Sequence, residues 1–159
     1  MKTSVLTAIM VLQMTSRALA GECREQLEPL LVSEQPKTTV ALFEVCQAEA
    51  AAGDAEALYW VSFFYFGLLE STSDERRGVE STTASAEKGY PLAQYWMGWQ
   101  SEIGGLLPQD AAAAVAWYER AADSNNWLAL ERLSRAYRNG ELGLERDVAR
   151  AEQYAARRP

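Results

Sequence analysis

The sequence predicts an all-α fold built from pairs of helices that recur along the chain and stack side by side. Two observations carry this. Three stretches align without a gap, starting at Gly53, Gly89 and Asn125, so equivalent positions lie 36 residues apart. Within each stretch the apolar residues recur three and four apart, the period of a helix with one buried face. A period of this size marks repeats that bury a continuous core only by stacking.

Residues 1–20, MKTSVLTAIMVLQMTSRALA, read as a secretory leader. Lys2 is followed by an uncharged apolar run, and Ala18-Leu19-Ala20 supplies the small residues of a cleavage site, predicted after Ala20. The run is shorter than the roughly 20 residues that span a bilayer. Residues 21–53 are expected to form N-terminal capping helices. Residues 24–32 are the candidate first helix, a Ser33–Lys37 break follows, and residues 41–52 resemble an eroded repeat helix. Cys46 falls one period before Thr82 and two before Tyr118, at an inward-facing position. The chain has two cysteines, Cys23 and Cys46. In an exported protein an even count reads as one disulfide, closing a loop worth roughly 3 kcal/mol; two free thiols are the alternative.

Residues 54–159 are the repeat domain. In its first helices Ala57, Leu58, Val61, Ser62 and Tyr65 share one face, and the period repeats small residues at Ser62, Gly98 and Ser134. In the second helices Asp110 is the candidate N-cap. Ala114, Trp117, Tyr118, Ala121 and Ala122 form the inward stripe, the aromatics filling space and the alanines allowing close approach. Gly53, Gly89 and Asn125 suit a left-handed helix end, and Pro91 suits a first helical turn. The loops Gly67–Asp74, Gly104–Asp110 and Gly140–Asp147 join the helices of each pair, the last with one extra residue.

These residues resemble the Sel1-like repeat family, relatives of the tetratricopeptide repeats. Ala129, Leu133, Ser134, Tyr137 and Gly140 match the first half of its pattern, and Asp110, Ala114, Trp117, Tyr118, Ala121 and Ala122 the second. The resemblance covers residues 55–158. It implies a right-handed α/α solenoid of about three repeats, here with an N-terminal capping helix pair, in an exported bacterial protein. Family disulfides within a repeat join closer cysteines, so a Cys23–Cys46 bond would instead pin the cap. The helix from Asp74 lacks the Trp-Tyr pair, and Asn125 replaces a glycine.

In such solenoids the first helices line the concave wall. Their face opposite the packing stripe carries Tyr59, Phe63 and Phe66 with Trp60 beside them, then Tyr95 and Trp99 with Trp96 beside them, then Arg132, Arg135 and Arg138. Trp, Tyr and Arg are the residues of binding hot spots, and Arg pairs with carboxylates through two hydrogen bonds. These residues are the candidate partner-binding set. Internal packing and self-association are the alternative uses of the rings.

The formal net charge is −7, with no basic block, which argues against nucleic acid or an anionic membrane surface. The chain has no histidine, so it lacks the commonest general base and zinc ligand. No phosphate loop, calcium loop or dinucleotide fingerprint is present. The sequence therefore predicts no enzyme, no cofactor, no metal and no membrane span. It predicts a periplasmic or secreted adapter or scaffold, monomeric or weakly oligomeric, whose partner is another protein. The alternatives are an immunity-type inhibitor of a secreted toxin and, third, a weak hydrolase.

Overall fold

A computed structural model describes residues 21–31, 40–68 and 70–158. The predicted leader lies outside the described residues, as does the Ser33–Lys37 break. The elements are α1 (Glu22–Leu31), α2 (Val40–Ala51), α3 (Ala55–Phe63), a π-helical turn (Phe64–Leu68), a short 3-10 turn (Glu70–Thr72), α4 (Glu75–Glu87), α5 (Pro91–Ile103), α6 (Ala111–Asp123), α7 (Trp127–Asn139) and α8 (Val148–Ala156). Among the described residues there is no strand. No helix among them is long and apolar enough to cross a membrane. The chain divides into two compact units, with the division inside α4 at Gly78 and Val79.

The 36-residue period is written in the backbone hydrogen bonds. The N–H groups of Asp54, Tyr90 and Asn126 donate to the carbonyls of Glu49, Ser85 and Ala121, at 3.2, 3.2 and 3.0 Å. Each preceding residue, Gly53, Gly89 or Asn125, has positive φ, as expected of a left-handed helix end. Asp54 and Asn126 then cap α3 and α7 by accepting from Ala57 and Ala129. At the equivalent position Tyr90 makes no side-chain cap, and Pro91 in the first turn takes over, where its missing N–H is harmless.

A second recurring bond closes each helix pair. The N–H groups of Asp74, Asp110 and Asp147 donate to the carbonyls of Tyr65, Ser101 and Tyr137, at 2.8, 2.8 and 2.7 Å. The same three aspartates cap the helix that follows, accepting from Arg77, Ala113 and Arg150. The extra residue before Asp147 is absorbed in a turn where Leu142 and Gly143 both have positive φ.

Unit 1 has its core in Cys23, Leu42, Cys46, Trp60, Val61, Phe64 and Tyr65, with Phe43, Tyr59 and Phe63 packed against it. Helices α1, α2 and α3 pack on one another. The predicted disulfide is present: Cys23 and Cys46 are bonded, their Cα atoms 4.7 Å apart. Cys46, Thr82 and Tyr118, one period apart, are all fully buried, as expected of inward-facing positions.

Unit 2 packs α5 on α6, α6 on α7 and α7 on α8. Its core is Ala114, Tyr118, Ala121, Ala122, Ala129, Leu130, Leu133, Tyr137 and Ala151. Gly98 lets α5 approach α6, because a Cβ there would stand 2.7 Å from the Tyr118 ring. Trp117 departs from the expected stripe. It is only half-buried, and Arg120 lays its guanidinium 4.3 Å over the ring. A residue one position before Tyr118 is rotated about a quarter-turn toward the rim, so its ring is covered by a cation and not by a helix.

Candidate functional site

The predicted partner-binding residues separate by environment. In unit 1 Trp60 is interior, 8% exposed, with its Nε1 donating to Glu56 at 3.3 Å. Tyr59 and Phe63 are half-buried and meet edge to face with centroids 5.1 Å apart. Burial pushes the Tyr59 phenol up to about 12. Phe66 lies in the π-helical turn and covers Gly78, where any Cβ would clash with its ring. The rings of unit 1 therefore support its core and leave only part of their surface to water.

In unit 2 the period places Trp99 of α5 and Arg135 of α7 at equivalent positions, and both are exposed. Trp99 is 42% exposed although α5 has a packed face available on its other side. Trp96 is half-buried. Tyr95 is half-buried against the Tyr118 ring, with centroids 5.5 Å apart. Burial, then the nearby Glu102 carboxylate, holds its phenol above the usual range, against the pull of Arg132 and Arg135. Tyr95 thus sits among the charged groups of both helices.

Arg132 is not a surface cation. It is 9% exposed, and all three of its guanidinium nitrogens donate to two carboxylates. Nε and Nη2 donate to Glu102 at 2.9 and 2.7 Å, and Nη1 donates to Glu141 at 2.6 Å. Tyr118 donates its hydroxyl to the same Glu102 at 2.8 Å. Burial works to raise the Glu102 carboxyl, but the hydrogen bonds from Arg132 and Tyr118 outweigh it and hold it below its ordinary value. Planar two-point pairing of this kind fixes geometry as well as charge. Arg135 stays outside this network apart from a 3.6 Å approach to Glu141 and is 60% exposed. Arg138 is exposed as well.

Two features of this face were not visible among the candidate residues. Glu102 and Glu141 look like ordinary surface carboxylates until α5 and α7 are set side by side. Trp127 is 52% exposed and begins α7. It lies eight residues before Arg135, a helical spacing that puts the two on one stripe with Glu131, and that spacing was the available signal. A shallow cleft of about 340 Å³ lies beside it, lined by Trp127, Glu131, Ala155 and Arg158. Among the described residues no group of His, Cys, Asp and Glu is placed to hold a metal ion.

A stack of helix pairs with this recurring bonding defines the class: an α/α repeat protein. The Sel1 repeat model matches residues 91–126 and 127–157, so these residues form two Sel1 repeats. Among solved structures it is similar to a Sel1 repeat protein from Oxalobacter formigenes, with a TM-score of 0.73 and 24% identity over 87% of this chain and 56% of that one. It is also similar to a protective antigen of uropathogenic Escherichia coli strains that displays the same fold, with a TM-score of 0.70 and 25% identity over 91% of this chain and 32% of that one. A curated relative, chitin synthase regulatory factor 3 of Schizosaccharomyces pombe, is 30% identical over 103 residues, 64% of this chain. The chain spans only about a tenth, 11%, of that fungal protein. Proteins with this repeat generally mediate protein–protein interaction and are typically non-catalytic.

Proposed function

We propose that the chain acts as an exported interaction module, and that unit 2 grips another protein on the face carrying Tyr95 and Trp99 of α5 and Trp127, Arg135 and Arg138 of α7. The observation that carries this is Trp99, left 42% exposed on a helix that has a packed face available. Exposed tryptophans beside exposed arginines are the composition of a hot spot and not of a solvated surface. The complementary ligand is a peptide or loop with an apolar anchor for Trp99 and a carboxylate for Arg135 or Arg138. Arg132 is the support of this face, because its charge is already met by Glu102 and Glu141.

Export is part of the same reading. The leader-like residues 1–20 motivate it, and the Cys23–Cys46 disulfide supports it, since such bonds persist in oxidising compartments. No catalytic role is assigned to any residue.

The test is affinity capture with the protein produced in an oxidising compartment, followed by titration of the captured partner against a Trp99→Ala, Arg135→Glu variant. Loss of one hot-spot residue at about 2 kcal/mol weakens binding about thirtyfold, and the variant is expected to lose at least that with its helical circular dichroism unchanged. Equal binding by the variant sinks the proposal. Tight capture of a single hydrolytic toxin would identify the module as an inhibitor, and several envelope components would identify an adapter.

A further inference from the structure

Glu49 is a carboxylate in the interior of unit 1 with no cation to answer it. It is 5% exposed. Its two oxygens accept the backbone N–H groups of Gly21 at 3.3 Å, Glu22 at 3.0 Å and Cys23 at 3.3 Å. It thereby caps the start of α1 from the neighbouring helix α2. Among the described residues no Lys or Arg nitrogen lies within ion-pair reach of it. Arg24, on the first turn of α1, reaches Glu56 of α3 at 3.6 Å. A buried ion costs several kcal/mol unless it is well compensated, and three N–H groups at a helix start compensate only in part.

Packing does not require a glutamate here. The period places Ser85 and Ala121 at the equivalent positions of the later helix ends, both small and fully buried. The large acidic residue is the one whose side chain meets the first backbone N–H groups of α1. The N–H that Oε2 accepts is that of Gly21, the residue that follows the predicted cleavage site. A Cβ on Gly21 would meet nothing within 4 Å, so the position is open enough for a terminus.

We propose that the peptide bond between Ala20 and Gly21 is a processing site whose product is built into the fold, the released amino group of Gly21 being the counter-charge of Glu49. Hydrolysis by a leader peptidase adds water across the bond. Ala20 leaves as a carboxylate, and the Gly21 nitrogen takes a proton and becomes an ammonium. A nitrogen that offered one neutral N–H to Glu49 then offers three donors and a full charge. Cys23 lies two residues further on, and Cys46 precedes Glu49 by three on α2, so the ion pair and the disulfide close one corner. This inference rests on the leader reading, and its experiment separates the two.

The test begins with the intact mass of the protein recovered from an oxidising compartment. A start at Gly21 is expected, and any other start overturns both the leader boundary and the proposal. With that start established, the α-amine is acylated at pH 8, the modified residue being located by peptide mass. An ammonium held by Glu49 reacts about fivefold more slowly in the folded protein than in urea, the effect at this pH of one unit in proton affinity on an amine that is otherwise about half protonated. Glu49→Gln is expected to abolish the slowing. Acetylation of Gly21 before refolding is the second measurement, expected to lower the folding equilibrium constant about tenfold even if the Glu49 variant does not fold. Equal acylation rates in folded and unfolded chains, with an unchanged unfolding midpoint on acetylation, overturn the ion pair while leaving the cleavage site standing.

Discussion

The ring of Tyr118 on α6 occupies the space in which a side chain at Gly98 of α5 would begin, 2.7 Å from that Cβ position. Gly98→Ala gains about 1 kcal/mol of helix propensity. It also drives a methyl into a ring that is fully buried and cannot swing away, an overpacking cost of about 1–3 kcal/mol. The clash wins, because moving the ring also pulls the Tyr118 hydroxyl from Glu102. A lower thermal midpoint than wild type is expected, and an unchanged or higher one would show that the ring yields.

Arg132 joins α5 to the loop after α7 through Glu102 and Glu141. Arg132→Met removes the cation and leaves two carboxylates near each other. Breaking a buried pair costs about 3–5 kcal/mol, but Glu102 and Glu141 retain 23% and 34% exposure. Water compensates in part, and about 2 kcal/mol is expected. Urea unfolding followed by circular dichroism measures it. The triple change that also makes both glutamates Gln should recover part of the loss.

The same network sets an acid limit. The Glu102 carboxyl lies below its ordinary 4.5 in the folded protein. Its contribution is therefore complete above that value and is lost as the pH falls through the lower folded value. Stability is expected to decline below about pH 4.5, with a shallower decline in the Arg132→Met variant. Equal slopes for the two proteins would remove Glu102 from the explanation.

At alkaline pH the direction is set by Tyr59, whose phenol is pushed up to about 12 by burial. A raised folded value means that its contribution is intact below the ordinary phenol value of 10.0 and fades as pH rises toward 12. Phenolate absorbance is expected to rise in two phases, the later one containing Tyr59 and coinciding with unfolding. Tyr59→Phe should keep the fold and remove its share of the later phase.

Reduction of Cys23–Cys46 releases a loop of 23 residues. The loop-entropy model gives a loss of about 3 kcal/mol, confined to unit 1. Hydrogen exchange with and without reductant checks this. The amides of α1 and α2 should lose protection while those of α6 and α7 keep theirs.

The parts of the fold legible in the sequence were those carried by local chemistry. Asp110 announces a cap because a cap needs only a side chain and an N–H three residues on. Gly53, Gly89 and Asn125 announce helix ends because few residues tolerate positive φ. The period then placed Cys46 with Tyr118 although no single-site property of a cysteine suggests it. What stayed hidden depended on partners distant along the chain. Arg132 reads as a surface cation until Glu102, thirty positions earlier, is brought beside it. Glu49 reads as a solvated glutamate until α1 begins against it. Trp60 and Tyr59 are adjacent aromatics in sequence, and only helix rotation decides which enters the core.

The bond from each loop-closing aspartate back to the preceding helix has an engineering consequence. Asp110 reaches Ser101 and Asp147 reaches Tyr137 at nearly the same distance, although the second loop is one residue longer. The fastening is made at the loop's ends, so the chain between them takes up an added residue without moving that bond. Gly143, where a Cβ would meet nothing within 4 Å, is thus the place to insert a peptide, a fluorophore site or a recognition loop, with Glu141 left to Arg132 and Leu142 and Leu144 left against the core.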